Sequence, residues 1–254
     1  MNANFLDLPA REAKPRKNGI TSILDTGTPT QQFKDFIESH GNYIDMVKLG
    51  WGTCMVTKDL TQKIDILQQH GIDYYFGGTL FEKAWLQNKV EALFDFFSAN
   101  QVKWVEISDG TVALPHAEKL KYIELAAKKF SVMSEVGYKD QTRSADFYPA
   151  EWIKCIQSEL AAGAQKCITE ARESGQSGIC RSNGEIRFGL IHEILNGGVS
   201  AKDLIFEAPN KSLQTYFIKL VGSDVNLGNI AFSDVIPLET LRLGLRSDTL
   251  ESFK

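Results

Sequence analysis

Apolar and β-branched residues recur along the chain in short runs. Longer stretches, in which they return every third or fourth position, separate these runs. The runs predict strands over 21–24, 44–49, 72–76, 103–107, 131–134, 166–169, 204–206 and 225–229. Between them, 31–39 places Phe33, Phe36 and Ile37 on one helical stripe. The stretch 58–69 does the same with Leu60, Ile64 and Leu67, and 83–99 with Leu86, Val90, Leu93, Phe94 and Phe97. Helical patterns continue over 116–129, 149–162, 186–196 and 212–221, and a last helix is expected over 236–246. Gly41, Gly71, Gly163 and Gly197-Gly198 fall where these helices should stop. Strands alternating with helices imply a parallel sheet covered by helices. Eight such units in 254 residues favour a closed α/β fold, a (β/α)8 TIM barrel, over an open sheet. No G-x-G-x-x-G follows the first strand, which weakens a dinucleotide-binding fold. The reading is one domain: a polar N-terminal arm over 1–18, then a barrel over 19–254.

The chemistry gathers where the strands end. Strand two closes on Lys48 and runs into Gly-Trp-Gly-Thr; strand three runs into Gly77-Gly78-Thr79. Strand four carries Glu106, strand five leads to Glu135 and Lys139, and strand six leads to Glu170, Arg172, Ser174 and Gly175. Strand seven ends at Glu207, and strand eight holds Asn226 and Asn229. Strand side chains alternate between the two faces of a sheet. Val105 and Ile107 suit the helix-facing side, so Glu106 should face the lumen, with Glu135, Glu170 and Glu207 in matching places. A (β/α)8 barrel keeps its active site at the C-terminal ends of its strands. A lone carboxylate there often makes only a structural salt bridge. Four of them, interleaved with Lys48, Lys139 and Arg172, form a poor stability device, because desolvation offsets the attraction. Like charges in a dry site raise one another's pKa, so a counter-charge is required. Oxygen-only ligands point to Mg2+, with Glu106, Glu135, Glu170 and Glu207 as the candidate metal ligands. The expected site is metal-assisted and takes an anionic substrate. Lys48, Arg172, Ser174, Gly175 and Asn226 are the candidate substrate-binding residues, the Ser-Gly turn offering backbone N–H groups to a phosphate.

Charge and composition narrow the rest. A net charge of −4 argues against a general nucleic-acid binder. No apolar run approaches the length needed to span a bilayer, and the head of the chain has no apolar leader, so a cytoplasmic location is expected. The four cysteines, Cys54, Cys155, Cys167 and Cys180, are scattered and read as free thiols. The four histidines fall in helices or at their ends, and no hydrolase or zinc-protease motif is present.

The stretches VKLGWGT (47–53), FGGTLFE (76–82), VEISDG (105–110) and SEVGYKD (134–140) resemble those of the phosphosulfolactate synthase family. EARESG (170–175), IFEAPNKSLQ (205–214), VNLGNIAF (225–232) and ETLRLGLRSDT (239–249) continue the resemblance in the right order. It runs from about residue 14 to the end of the chain. It implies a (β/α)8 barrel and Mg2+-dependent addition of sulfite to phosphoenolpyruvate, a carbon–sulfur lyase reaction. The product would be (2R)-phospho-3-sulfolactate, an early intermediate of one route to coenzyme M. It also implies that Lys139 is the catalytic acid and that Lys48 and Arg172 hold phosphate or carboxylate. Two alternatives stand beside this reading: a non-catalytic barrel like the plant heat-stress relatives, and another phosphoenolpyruvate-using barrel enzyme. EARESG and APNKSLQ look like the bacterial, sulfolactate-forming relatives. Barrels of this kind often associate, so a homo-oligomer is expected.

Overall fold

The computed structural model describes residues 5–253. The first half of the barrel runs β1 (Thr21–Asp25), α1 (Thr30–His40), β2 (Met46–Leu49), α2 (Leu60–Gln69), β3 (Asp73–Phe76), α3 (Gly78–Leu86), α4 (Val90–Ala99), β4 (Trp104–Ile107) and α5 (His116–Ala126). The second half runs β5 (Ser131–Val136), α6 (Gln141–Asp146), α7 (Pro149–Ala161), β6 (Ala164–Thr169), α8 (Phe188–Asn196), β7 (Leu204–Glu207), α9 (Lys211–Val221), β8 (Leu227–Ile230) and α10 (Val235–Arg242). All ladders are parallel, in the order β3-β2-β1-β8-β7-β6-β5-β4. β3 and β4 are neighbours across the remaining seam, so the ring is a nearly closed (β/α)8 barrel.

Side chains complete that seam. Asp73 at the start of β3 accepts from Trp104 Nε1 at 2.9 Å and from Lys103 Nζ at 2.8 Å. At the other end, Gly78 N donates to Glu106 Oε1 at 2.6 Å.

The strand period sorts the residues into two cores. Val47, Val105, Ile107, Val132 and Phe206 point outward and pack under the helices. Inside, Ile20, Met46, Tyr75, Met133, Ile168 and Ile205 form a separate apolar plug, with Trp104 against it. Met133, Ile168 and Ile205 are at most 2% exposed, and each such burial contributes roughly 1.5–3 kcal/mol. Two positions further along their strands stand the ions: Met46 lies below Lys48, Trp104 below Glu106, Met133 below Glu135, Ile168 below Glu170 and Ile205 below Glu207. The plug closes one end of the lumen to water, so this charged layer has solvent only on its outer side.

Several boundaries differ from the periodicity. The stripe over 83–99 is two helices, because Asn88 takes a left-handed φ of 54° after α3 and the chain restarts at Val90. The short α6 has no apolar stripe; it forms because the Asp140 side chain accepts from Arg143 N at 2.9 Å, capping its start. Strand eight begins and ends later than its apolar run, at Leu227–Ile230. Ahead of β1, Arg11 reaches Glu239 at 2.9 Å, Asp224 at 3.0 Å and the Gly19 carbonyl at 3.0 Å.

Candidate active site

Lys48 stands at the centre of the charged layer. Its Nζ lies 2.9 Å from Glu106 Oε2, 3.6 Å from Glu135 Oε2 and 3.6 Å from Glu207 Oε1. Lys139, four residues beyond Glu135, lies 3.2 Å from Glu135 Oε1 and 3.4 Å from Glu170 Oε2. The four glutamates are at most 2% exposed. Three of them have one oxygen tied to backbone. Glu106 Oε1 accepts from Gly78 N, Glu170 Oε1 from Arg172 N at 2.6 Å, and Glu207 Oε2 from Ala171 N at 2.8 Å and Arg172 N at 3.0 Å. The other oxygen of each turns inward. Glu106 Oε2 and Glu170 Oε2 are buried against the ammonium groups of Lys48 and Lys139 respectively, with the Glu135 carboxyl also beside Glu170.

Above this layer lies a small cavity of about 40 Å³. Lys48, Glu135, Lys139, Glu170 and Glu207 form its floor; Arg172, Trp51 and Asn229 stand among its walls. The glycines of β3's exit let the parts approach. A Cβ on Gly77 would meet Lys48 Cε at 3.1 Å, and one on Gly78 would meet Glu106 Oε1 at 2.6 Å and Ser108 Oγ at 2.4 Å.

Burial and mutual repulsion set the protonation states. Burial pushes Glu106 up to about 7, Lys48 pulling the other way and Glu135 adding to the rise. Glu135 would also be raised by burial, but the ammonium groups of Lys139 and Lys48 and the Glu170 carboxyl beside it bring it down to about 2. Glu170 is raised well above the usual carboxylate range by burial and by the charges of Glu135 and Glu207. Burial disfavours charge on Lys48 and Lys139, yet the surrounding carboxylates hold both well above the ordinary lysine value.

Four carboxylates face two ammonium groups, an excess of two negative charges if all are ionised. The donors are all oxygen, and the inward oxygens of Glu106 and Glu170 are buried with no donor but lysine ammonium groups. Charge count and donor chemistry fit one divalent hard cation at this end of the barrel. A different group, His116, Cys155 and Glu159, has ligand atoms gathered within 4.8 Å. Lys119 Nζ occupies Glu159 Oε1 at 2.9 Å there, and burial pushes the Cys155 thiol up to about 12, so this is an ion-paired packing cluster.

The structure brings Lys48, Glu106, Glu135, Lys139, Glu170, Arg172 and Glu207 together as the strand ends suggested. It does not bring Asn226. Asn226 sits at the opposite end of β8, where Oδ1 accepts from Ile20 N and Nδ2 donates to the carbonyls of Leu204 and Lys202. All its useful hydrogen bonds go to strand ends, so it is a structural clasp. Ser174 is exposed and Gly175 packs toward Asn210, and neither lines the cavity. Lys211 pairs with Asp248 at 3.0 Å and does not line the cavity. Asn229, Thr79 and Glu173, which stand at or just past strand ends but are not among the candidate binding residues, also line the cavity. For Asn229 the available signal was its residue type, since asparagine enters the left-handed region more readily than most non-glycine residues.

Comparison with known proteins gives the family of the chain. The family model described as (2R)-phospho-3-sulfolactate synthase (ComA) matches residues 9–248. The chain is 48% identical over 249 residues to phosphosulfolactate synthase of Bacillus subtilis, covering 98% of this chain and 99% of that one. It is 42% identical over 254 residues to phosphosulfolactate synthase of Methanothermobacter thermautotrophicus, covering 98% of each. Among solved structures, 3-hexulose-6-phosphate synthase from Salmonella typhimurium superposes with a TM-score of 0.57 at 11% identity, covering 89% of this chain and 100% of that one, a likeness of fold. No helix among the described residues is long and apolar enough to cross a membrane.

Proposed function

The chain belongs to the (2R)-phospho-3-sulfolactate synthase family, and from that premise we propose that it catalyses Mg2+-dependent addition of sulfite to phosphoenolpyruvate. The observation that carries the reading is Lys139, held by Glu135 and Glu170 at the floor of a cavity that Lys48 and Arg172 also line. Phosphoenolpyruvate is a polyanion, and these three are the cationic side chains that line the cavity. Arg172 is half-exposed at the rim, with only a loose 3.7 Å contact to Glu173, so its guanidinium is free to take a phosphate or carboxylate by a two-pronged contact.

In the reaction the sulfur lone pair forms the bond to C3. The C2=C3 electron pair moves toward C2 and the carboxylate, and C2 then takes a proton. Lys139 is the proton donor. Its neighbours hold it protonated at neutral pH, and it is 24% exposed on its side chain, so solvent can restore the proton after each turnover. Lys48 keeps the buried carboxylates neutralised and adds positive charge beneath the substrate. A divalent cation held by carboxylates from the set Glu106, Glu135, Glu170 and Glu207 would supply Lewis-acid stabilisation of the negative charge that develops on the substrate carboxylate. A barrel with only a packing role has no use for this layer, since apolar side chains would fill the space at lower desolvation cost.

The test is direct. Purified protein is mixed with phosphoenolpyruvate, sulfite and Mg2+, and loss of the enol absorbance is followed. Wild type is expected to turn over. Lys139→Ala is expected to lose at least about 100-fold in kcat with an unchanged circular dichroism spectrum. No consumption by wild type, or undiminished turnover by Lys139→Ala, overturns the reading.

A further inference from the structure

Five described non-glycine residues have a left-handed backbone: Trp51, Asn88, Gln101, Arg172 and Asn229. Asn88 and Gln101 follow the ends of α3 and α4, where such a turn is the ordinary way to stop a helix. The other three all line the cavity above Lys48 and Lys139. Conformations of this kind are strained, and they concentrate where a side chain must be aimed.

Asn229 is the most informative of the three, because it lies inside a strand. β1 and β8 pair at Thr21 with Leu227 and again at Ile23 with Ile230. One residue, Ser22, separates the first pair from the second on β1; two, Gly228 and Asn229, separate them on β8. That is a bulge, and a bulge re-aims the side chain at its centre. Asn229 has φ 54° and is 8% exposed. Its amide has no hydrogen-bond partner among the described residues, although it is nine-tenths buried. The opening left to it is the cavity. On that wall, β1 and β8 contribute only Leu24 and Asn229 to the lining.

We propose that the bulge at Gly228–Asn229 presents the Asn229 amide as a substrate-binding donor, giving a hydrogen bond to an anionic oxygen of the substrate on the wall where the site has no cation. The identity of that substrate, phosphoenolpyruvate, rests on the function proposed above. The choice of a neutral donor has a reason. Asn229 adjoins the β7–β8 ladder at Glu207 and Gly228. A lysine there would be drawn into an ion pair with Glu207, as Lys48 is. An amide remains free for the ligand.

Two variants test this. Asn229→Gly removes the amide and at the same time relieves the left-handed backbone, so the fold should not suffer. Asn229→Asp keeps the shape but replaces the donor by an oxygen. Asn229→Gly is expected to melt at or above the wild-type temperature while its KM for phosphoenolpyruvate rises at least tenfold. Asn229→Asp should raise KM further, because it sets a fifth carboxylate against an anion. A KM for Asn229→Gly within twofold of wild type overturns the proposal, and so does a melting temperature that falls along with activity, the mark of a purely structural bulge. If wild type consumes no phosphoenolpyruvate, the functional reading has failed, and equilibrium titration of phosphoenolpyruvate decides this point separately. Tenfold weaker binding by Asn229→Gly then sustains it; equal binding, or none by wild type, overturns it.

Discussion

At the scale of single residues, the central fact is an ammonium group shared by three buried carboxylates. Lys48 lies within 3.6 Å of Glu106, Glu135 and Glu207, and each of the three is at most 2% exposed. Lys48→Met keeps the stem and deletes the charge. Breaking a buried pair from one side costs about 3–5 kcal/mol, so this variant should unfold at markedly lower urea at pH 8 and bind no phosphoenolpyruvate. A Lys48→Met protein as stable as wild type would mean that the carboxylates stay neutral without it. The glutamates were legible beforehand because strand parity is strict: once Val105 faces the helices, Glu106 must face the lumen. Asn226 clasps strand starts instead of lining the mouth, and nothing local in the sequence separates an asparagine of one kind from the other. The bulge that selects Asn229 instead is a property of the β1–β8 pairing.

At the scale of elements, α5 and α7 hold the strand ends that carry the site. Lys119 on α5 donates to Asp109 Oδ1 at 2.8 Å and to the Glu135 carbonyl at 2.6 Å, and lies 2.9 Å from Glu159 Oε1 on α7. The helix pair thereby pins β5 at the residue whose side chain meets Lys48 and Lys139. Burial raises Glu159 to about 7 from an ordinary 4.5, Lys119 opposing the rise and Asp109 adding to it. The folded state therefore binds the proton more tightly than the unfolded chain. That contribution is fully present below about 4.5 and is lost as pH rises through about 7, on the order of 3 kcal/mol at most. Glu159→Gln removes the titration, so its melting temperature should fall less between pH 5 and pH 8 than that of wild type, by roughly 5–10 °C at most for a chain of this size. Calorimetry in metal-free buffer checks it; parallel curves for the two proteins would count against the account. Amphipathic stripes revealed these helices, but α6 has none. It exists through the Asp140 cap, one residue after Lys139, a signal too short to stand out in the chain.

At the scale of the whole molecule, the ring closes without a ladder between β3 and β4. Asp73 holds the seam at one end and Glu106 at the other. Glu106 is thus both a member of the charged layer and a fastening of the barrel. Asp73→Ala leaves the Trp104 indole N–H without its partner and should cost about 1–2 kcal/mol in urea unfolding while KM stays near wild type, because Asp73 lies at the far end from the cavity. A change in KM as large as that of a mouth variant would show that the seam and the site are coupled.

The order of strands and helices, the number of units and the end of the barrel that carries charge follow from the chain itself. They depend on local periodicity and on the alternation of side chains along a strand, both of which are written in neighbouring residues. Tertiary structure alone decided which lysine sits among which carboxylates, where the ring is fastened by side chains, and which asparagine meets the cavity. Those outcomes depend on register between strands distant in sequence and on burial, and a pKa or an ion pair exists only once the partners have been brought within a few ångströms and water removed.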